Sequence, residues 1–93
     1  METQKHASTD DRSILSQIAG RKMVAGAKQL RKAVENGRAK RVYLAKNADP
    51  AITEPIEAMC LRLHIHCTWV PNMLDLGKAC GIEVGAAAAA AVD

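Results

Sequence analysis

The residues Gly26-Ala27-Lys28-Gln29-Leu30-Arg31-Lys32 are the part of this chain best equipped for chemistry. They read as the opening of a helix. Gly26 lets a partner approach the backbone closely and serves as an N-cap. The free N–H groups of Ala27, Lys28 and Gln29 then face outward at a helix start, where the dipole favours anions. Leu30, Ala33 and Val34 fall at i, i+3 and i+4 and form one apolar stripe. Lys28, Gln29 and Lys32 are related by i+3 and i+4 and share a different, exposed face. Two ammonium groups and a carboxamide in that place suit guanine edges and phosphates. The plainer alternative is a solvated lysine-rich face.

Other reactive side chains form no comparable set. Cys60-x3-His64-x-His66-Cys67 is the one cluster with metal-binding residue types, but its spacing lacks the paired cysteines and longer loops of zinc sites. Strand alternation also sends His66 and Cys67 to opposite faces. The thiols read as core residues and no metal or other cofactor is expected. Asp49 reads as a turn residue, and Glu54 and Glu57 as solvated helix acids. No nucleophile–base pair and no phosphate-binding glycine loop is present, so the chain is not expected to be an enzyme. Lys78, after Gly77, is either a phosphate contact or simply exposed.

The elements around these residues follow from periodicity and punctuation. Residues 1–10 are polar and expected to be disordered, leaving one domain over 11–93. Ile14, Leu15 and Ile18 predict a short amphipathic helix over 11–19, closed by Gly20. Lys22 to Ala25 reads as a short strand before the Gly26 turn. The helix from Ala27 ends near Asn36-Gly37. Arg41 to Ala45 and Ile65 to Val70 are apolar, β-branched or aromatic strands. Thr53 is a possible cap for a helix reaching Leu63, with Pro55 in its first turn and Ile56, Met59, Cys60 and Leu63 on its buried face. Asn72 caps a short helix from Met73 to Cys80, closed by Gly81. Alternating strands and helices predict a three-layer α/β domain. The alanine run Ala86 to Ala91 stays open: alanine favours helix, yet six residues make only a marginal one, and small side chains also suit a strand between helix layers.

Charge is unevenly spread. Residues 21–46 hold nine basic residues against Glu35 alone, whereas the whole chain carries only +3. A basic block inside a folded segment points to nucleic acid. Tyr43 and Trp69 are the only aromatics, too few for a single-strand binder built on stacking. The apolar share of 48% argues against a wholly disordered chain. No membrane-length apolar run or signal peptide is seen, and three cysteines in apolar surroundings suit reduced thiols, so a cytoplasmic protein is expected.

Four motifs in order carry a family likeness: Gly26-Ala27-Lys28-Gln29; Ala45-Lys46-Asn47-Ala48-Asp49-Pro50; Leu76-Gly77-Lys78-Ala79-Cys80-Gly81; and Gly85 with the alanine run. Together they resemble the archaeal ribosomal protein L-seven-Ae superfamily, and most nearly its bacterial YbxF-type branch, over roughly residues 22–92. The resemblance implies a three-layer α/β/α sandwich with a four-stranded mixed sheet, and makes the alanine run a strand. It implies recognition of kink-turn RNA, a duplex bent sharply at a bulge beside sheared G·A pairs, by a monomer associated with the ribosome. An ordinary A-form duplex hides its major-groove edges, and the kink exposes them. The implied RNA-binding residues are Gly26, Ala27, Lys28, Gln29, Lys32, Lys46, Lys78, Ile82, Glu83 and Val84. Lys28 and Gln29 stand where archaeal members have Asn and Glu, and Ile82-Glu83-Val84 would pack against the splayed nucleotides. Two other classes compete. Residues 11–19 and 21–36 around Gly20 can be read as a helix-turn-helix DNA binder, and a domain of the same fold can serve a purely structural or protein-binding role.

Overall fold

The computed structural model describes Ile18 and residues 21–92. Seven elements follow one another: β1 (Met23–Ala25), α1 (Ala27–Glu35), β2 (Ala39–Ala45), α2 (Pro50–Leu63), β3 (His66–Val70), α3 (Met73–Ala79) and β4 (Ala88–Val92). The sheet order is β1-β4-β2-β3, with β4 antiparallel to both neighbours and β2 parallel to β3. The expected tail at 1–10 and helix at 11–19 lie outside the described residues, apart from Ile18, which is helical and buried. Residues 23–25 form a strand, so the reading of 21–36 as one helix of a helix-turn-helix is overturned.

Two apolar clusters flank the sheet. On one face Leu30 and Ala33 of α1 and Ile56 and Cys60 of α2 pack on Val42 and Leu44 of β2 and on Ala88 and Ala90 of β4. On the other, Leu76 of α3 and Ile18 pack against Tyr43, Ala45 and Ala89. The sandwich therefore has three layers, and the two-residue alternation of each strand explains which side chains go where. No helix of the described residues is long and apolar enough to cross a membrane.

The alanine run is a strand, and every residue from Ala88 to Val92 is buried. The helix preference of alanine is worth at most about 0.7 kcal/mol per residue over ordinary residues. Leaving facing backbone groups of β1 and β2 unpaired in the interior would cost about 1–3 kcal/mol each. The ladder wins, and methyl side chains on both faces let helices pack closely on each side. Ala86 and Ala87 precede the strand but are tied down: the Ala86 N–H donates to the Met73 carbonyl at 3.0 Å, and the Ala45 N–H to the Ala87 carbonyl at 2.9 Å. Ala88 sits in the core between α1 and β2, so Ala88→Leu should overpack it and cost on the order of 1–3 kcal/mol, read as a lower midpoint in thermal or urea unfolding. A neutral result would contradict the interior placement.

Helix α2 begins earlier than its sequence suggests. Asp49, not Thr53, is the N-cap, its carboxylate accepting from the Ala51 N–H at 2.9 Å, with Pro50 at the first position. The Asp-Pro pair supplies both cap and preset φ, so the helix starts there. Pro55 consequently lies inside the helix and offers no N–H to the Ala51 carbonyl, a loss that falls in an exposed turn. Thr53 is buried rather than capping. Leu63, expected on the buried face, is 48% exposed, because His64 at φ 59 turns the chain out of the helix toward β3.

Candidate RNA interface

Helix α1 runs from Gly26 as anticipated. Gly26 has φ 98, outside the range comfortable for other residues, and a Cβ there would meet nothing within 4 Å. Its N–H donates to the Ala88 carbonyl at 2.8 Å, and its own carbonyl accepts from Leu30 at 2.9 Å. The glycine thus joins β1 and β4 to the helix while leaving open space beside the first turn. Among the described residues no side chain caps this helix start and no acid stands in its first turn, so none of them neutralises its positive end locally.

Leu30 and Ala33 are buried and Lys28, Gln29 and Lys32 exposed, so the apolar stripe and the polar face are separated as the spacing predicts. The polar face has finer structure. Lys28, Arg31, Lys32 and Glu35 line an open depression of about 450 Å³ along one flank. Gln29 and Lys32 lie instead beside Val24, Asn36 and Arg38 around a smaller hollow of about 190 Å³. Lys32 borders both, whereas Lys28 and Gln29 look to opposite sides of it.

The sheet brings further residues to the same end. Because β1, β2 and β3 run in one direction, their C-terminal ends lie together beside the start of β4. Gly26 follows β1 there and Lys46 follows β2, its N–H donating to the Val70 carbonyl at 2.9 Å. Lys46 is exposed. Asn47 holds α3 in place: its side-chain carbonyl accepts from the Met73 N–H at 2.8 Å. Asn72 caps α3 reciprocally with Asp75, its carbonyl accepting the Asp75 N–H at 2.8 Å and its amide donating to the Asp75 carboxylate at 3.1 Å. Asn47 and Asn72 thus fix the chain where β2 and β3 lead into the next elements.

The segment Ile82-Glu83-Val84 returns along α3. The Ile82 N–H donates to the Gly77 carbonyl at 3.0 Å and its side chain joins the second apolar cluster. Glu83 is exposed, and Val84 is 67% exposed, an apolar side chain left to solvent. Lys78 is exposed in the last turn of α3, at the far end of that helix from the Asn47–Met73 junction. Gly26, Ala27, Lys28, Gln29 and Lys46 are therefore gathered at one end of the sheet. Lys32 extends this set along α1, whereas Ile82 to Val84 and Lys78 belong to the α3 layer on the other face of the sheet.

The cysteines are elsewhere. Cys60 and Cys67 interact through their thiols within the first apolar cluster, a contact the sequence spacing did not reveal because it joins a helix to a strand. Burial, then the neighbouring Cys60 thiol and the Glu57 carboxylate, pushes Cys67 from 9.0 up to about 12. Burial also raises Cys60 and Cys80. Glu57 accepts from the Trp69 indole N–H at 3.3 Å. Unfolded Cys67 ionises near its ordinary value of 9.0, but folded Cys67 keeps its proton until about 12, so its stabilising contribution is present below pH 9 and lost as pH rises through that window. Folded protein at about pH 8 should resist thiol alkylation at Cys60 and Cys67, and its thermal midpoint should fall above about pH 9. Rapid labelling of the native protein would contradict this packing. Among the described residues, no group of three or more His, Cys, Asp or Glu is placed to hold a metal ion.

Comparison with known proteins agrees with this architecture. The model of the ribosomal protein L7Ae/L30e/S12e/Gadd45 family matches residues 13–93. The chain is 44% identical over 71 residues to RNA-binding protein TTE2299 of Caldanaerobacter subterraneus, covering 76% of this chain and 87% of that one. It is also 44% identical over 69 residues to RNA-binding protein YbxF of Geobacillus stearothermophilus, covering 74% and 84% respectively. Among solved structures, the 15.5kD RNA binding protein of Giardia lamblia superposes with a TM-score of 0.70 at 23% identity, covering 100% of this chain and 76% of that one, a likeness of fold.

Proposed function

Because the chain belongs to the ribosomal protein L7Ae/L30e/S12e/Gadd45 family, we propose that it is an RNA-binding protein that recognises kink-turn RNA through the N-terminus of α1. The observation that carries this reading is the uncapped helix start at Gly26. Open space adjoins its backbone, and Lys28, Gln29 and Lys32 stand exposed around it. A kinked duplex presents guanine edges that a straight A-form helix keeps out of reach. The carboxamide of Gln29 and the ammonium of Lys32 can donate to guanine acceptors, while Lys28 and Lys46 contact phosphates. Exposed Val84 offers apolar contact to an unstacked base. The RNA is a structured one, ribosomal RNA included, bound by a monomer in the cytoplasm, without cofactor and without catalysis.

Titration of the full chain against a kink-turn, a version with its G·A pairs disrupted and a plain duplex of equal length tests the proposal. At about 0.15 M salt the kink-turn should bind at least tenfold tighter than the other two. Equal affinity for all three would reject kink-turn recognition and favour a general duplex binder. No binding to any of them, even at low salt, would leave a structural or protein-binding role for the fold.

A further inference from the structure

Much of the positive charge lies away from the Gly26 end. The parallel direction of β1, β2 and β3 collects their starting residues at the opposite end, beside the end of β4. Arg21 and Lys22 precede β1, Arg38 precedes β2, Arg41 is in the first half of β2, and Arg62 is in the last turn of α2 just before β3. Register fixes their proximity. Met23 and Arg41 both pair with Ala91, and Arg41 pairs with His66. The Val92 N–H donates to the Lys22 carbonyl at 2.9 Å, while Ala39, next to Arg38, pairs with Val92. Three strand spacings make this row about 14 Å wide.

Arg21, Lys22, Arg38 and Arg62 are exposed and Arg41 half-buried, with Glu35 an exposed acid in the last turn of α1 at the same end. The C-termini of α1 and α2 also point here, each equivalent to about half a negative charge. Those dipoles offset part of the charge of Arg38 and Arg62, which adjoin the helix ends. At the Gly26 end, by contrast, Lys28 and Lys46 share the surface with Asp49 and Asp75. A second positive surface therefore lies at the end remote from the kink-turn site. A five-residue strand separates the two ends by about 16 Å, and Arg38 is the member of this row that shares a hollow with Gln29 and Lys32.

The chemistry of this surface selects its partner. It offers no Tyr or Trp platform: Tyr43 is buried and the Trp69 indole is bonded to Glu57. With five cations and no such platform it suits the phosphodiester backbone of a duplex better than the bases of a single strand. We infer that the strand-start end, formed by Arg21, Lys22, Arg38, Arg41 and Arg62, is a second RNA-contact surface that holds the backbone of another RNA helix while the Gly26 end holds a kink-turn. The inference rests on the RNA-binding reading above; with both surfaces in use, the chain bridges two RNA elements.

The test uses the full chain and its Arg21→Glu/Lys22→Glu/Arg62→Glu variant. A surface-immobilised kink-turn with stems too short to reach the far end is saturated with protein, and a labelled plain duplex is then added. The wild type should capture the duplex; the variant should lose capture by about tenfold or more while binding the kink-turn within about threefold of wild type. In solution, the logarithmic salt dependence of plain-duplex binding should also become shallower by about one for each phosphate contact removed. Failure of the kink-turn-saturated wild type to capture duplex, or capture undiminished in the variant, overturns the second surface. So does displacement of the duplex by polyglutamate at equal charge concentration, which would make the partner an acidic peptide. If the wild type shows no kink-turn preference at all, the kink-turn reading fails separately, and plain-duplex affinity and salt slope of the two proteins still decide the far surface. Circular dichroism checks the fold, and glutamine at the same three positions carries the test if the glutamates disturb it.

Discussion

Gly77→Ala is expected to lower stability by about 3 kcal/mol, at the upper end of the cost of overpacking, although it replaces a helical glycine by the best helix former. Propensity alone would favour the alanine by about 1 kcal/mol. The surroundings reverse the sign. Gly77 is buried in α3, and a Cβ there would collide with the Val84 carbonyl oxygen, with the carbonyl carbon at 3.0 Å and the Gly85 Cα at 3.3 Å. All three obstacles are backbone, so no side-chain rotation relieves the clash. Residues 82–85 must move off α3 or the helix must shift. The same displacement should weaken kink-turn binding if Val84 contacts an unstacked base. Urea unfolding measures the first effect and RNA titration the second. A variant more stable than wild type would mean that the 82–85 segment does not pack on α3 as described.

Lys32→Ala should cost roughly 1–3 kcal/mol of kink-turn affinity, about 5- to 150-fold, with little effect on folding. Lys32 is exposed, lies outside the Leu30 and Ala33 stripe, and borders the hollows on both flanks of α1. A charge-assisted bond to a guanine edge is made only when the kink exposes that edge, so the loss should be confined to the kink-turn. Arg38→Ala lies beyond the helix end and should reduce attraction to all RNAs alike, by a smaller factor. The quantity to compare is the ratio of kink-turn to plain-duplex affinity at one salt concentration. If Lys32→Ala lowers both affinities equally, the lysine contacts phosphate only. If it lowers neither, the interface lies elsewhere.

Local signals made several elements legible in the sequence. The β-branched and aromatic residues of 42–45 and 65–70 required strands because their preference for a pleated, half-buried surface does not depend on distant partners. Asn72 and Gly81 bracket α3 as expected, since a cap and a left-handed terminator act within one turn. The Lys28, Gln29 and Lys32 face was readable for the same reason: helical spacing alone separates it from Leu30 and Ala33.

Tertiary structure decided what local preference left open or misjudged. The start of α2 moved from Thr53 to Asp49 because two legal caps compete and Asp-Pro combines cap and φ. Leu63 left the buried face because the turn at His64 is set by where β3 must pair. The thiol contact between Cys60 and Cys67 joins elements whose meeting no periodicity encodes. The alanine run, open on local grounds and made a strand by family resemblance, is held in the sheet by ladder bonds to β1 and β2. The basic block of residues 21–46 was visible as composition, but its division between the two ends of the sheet follows from strand direction and register. Those are properties of pairing between distant segments, and no local window of the sequence contains both partners.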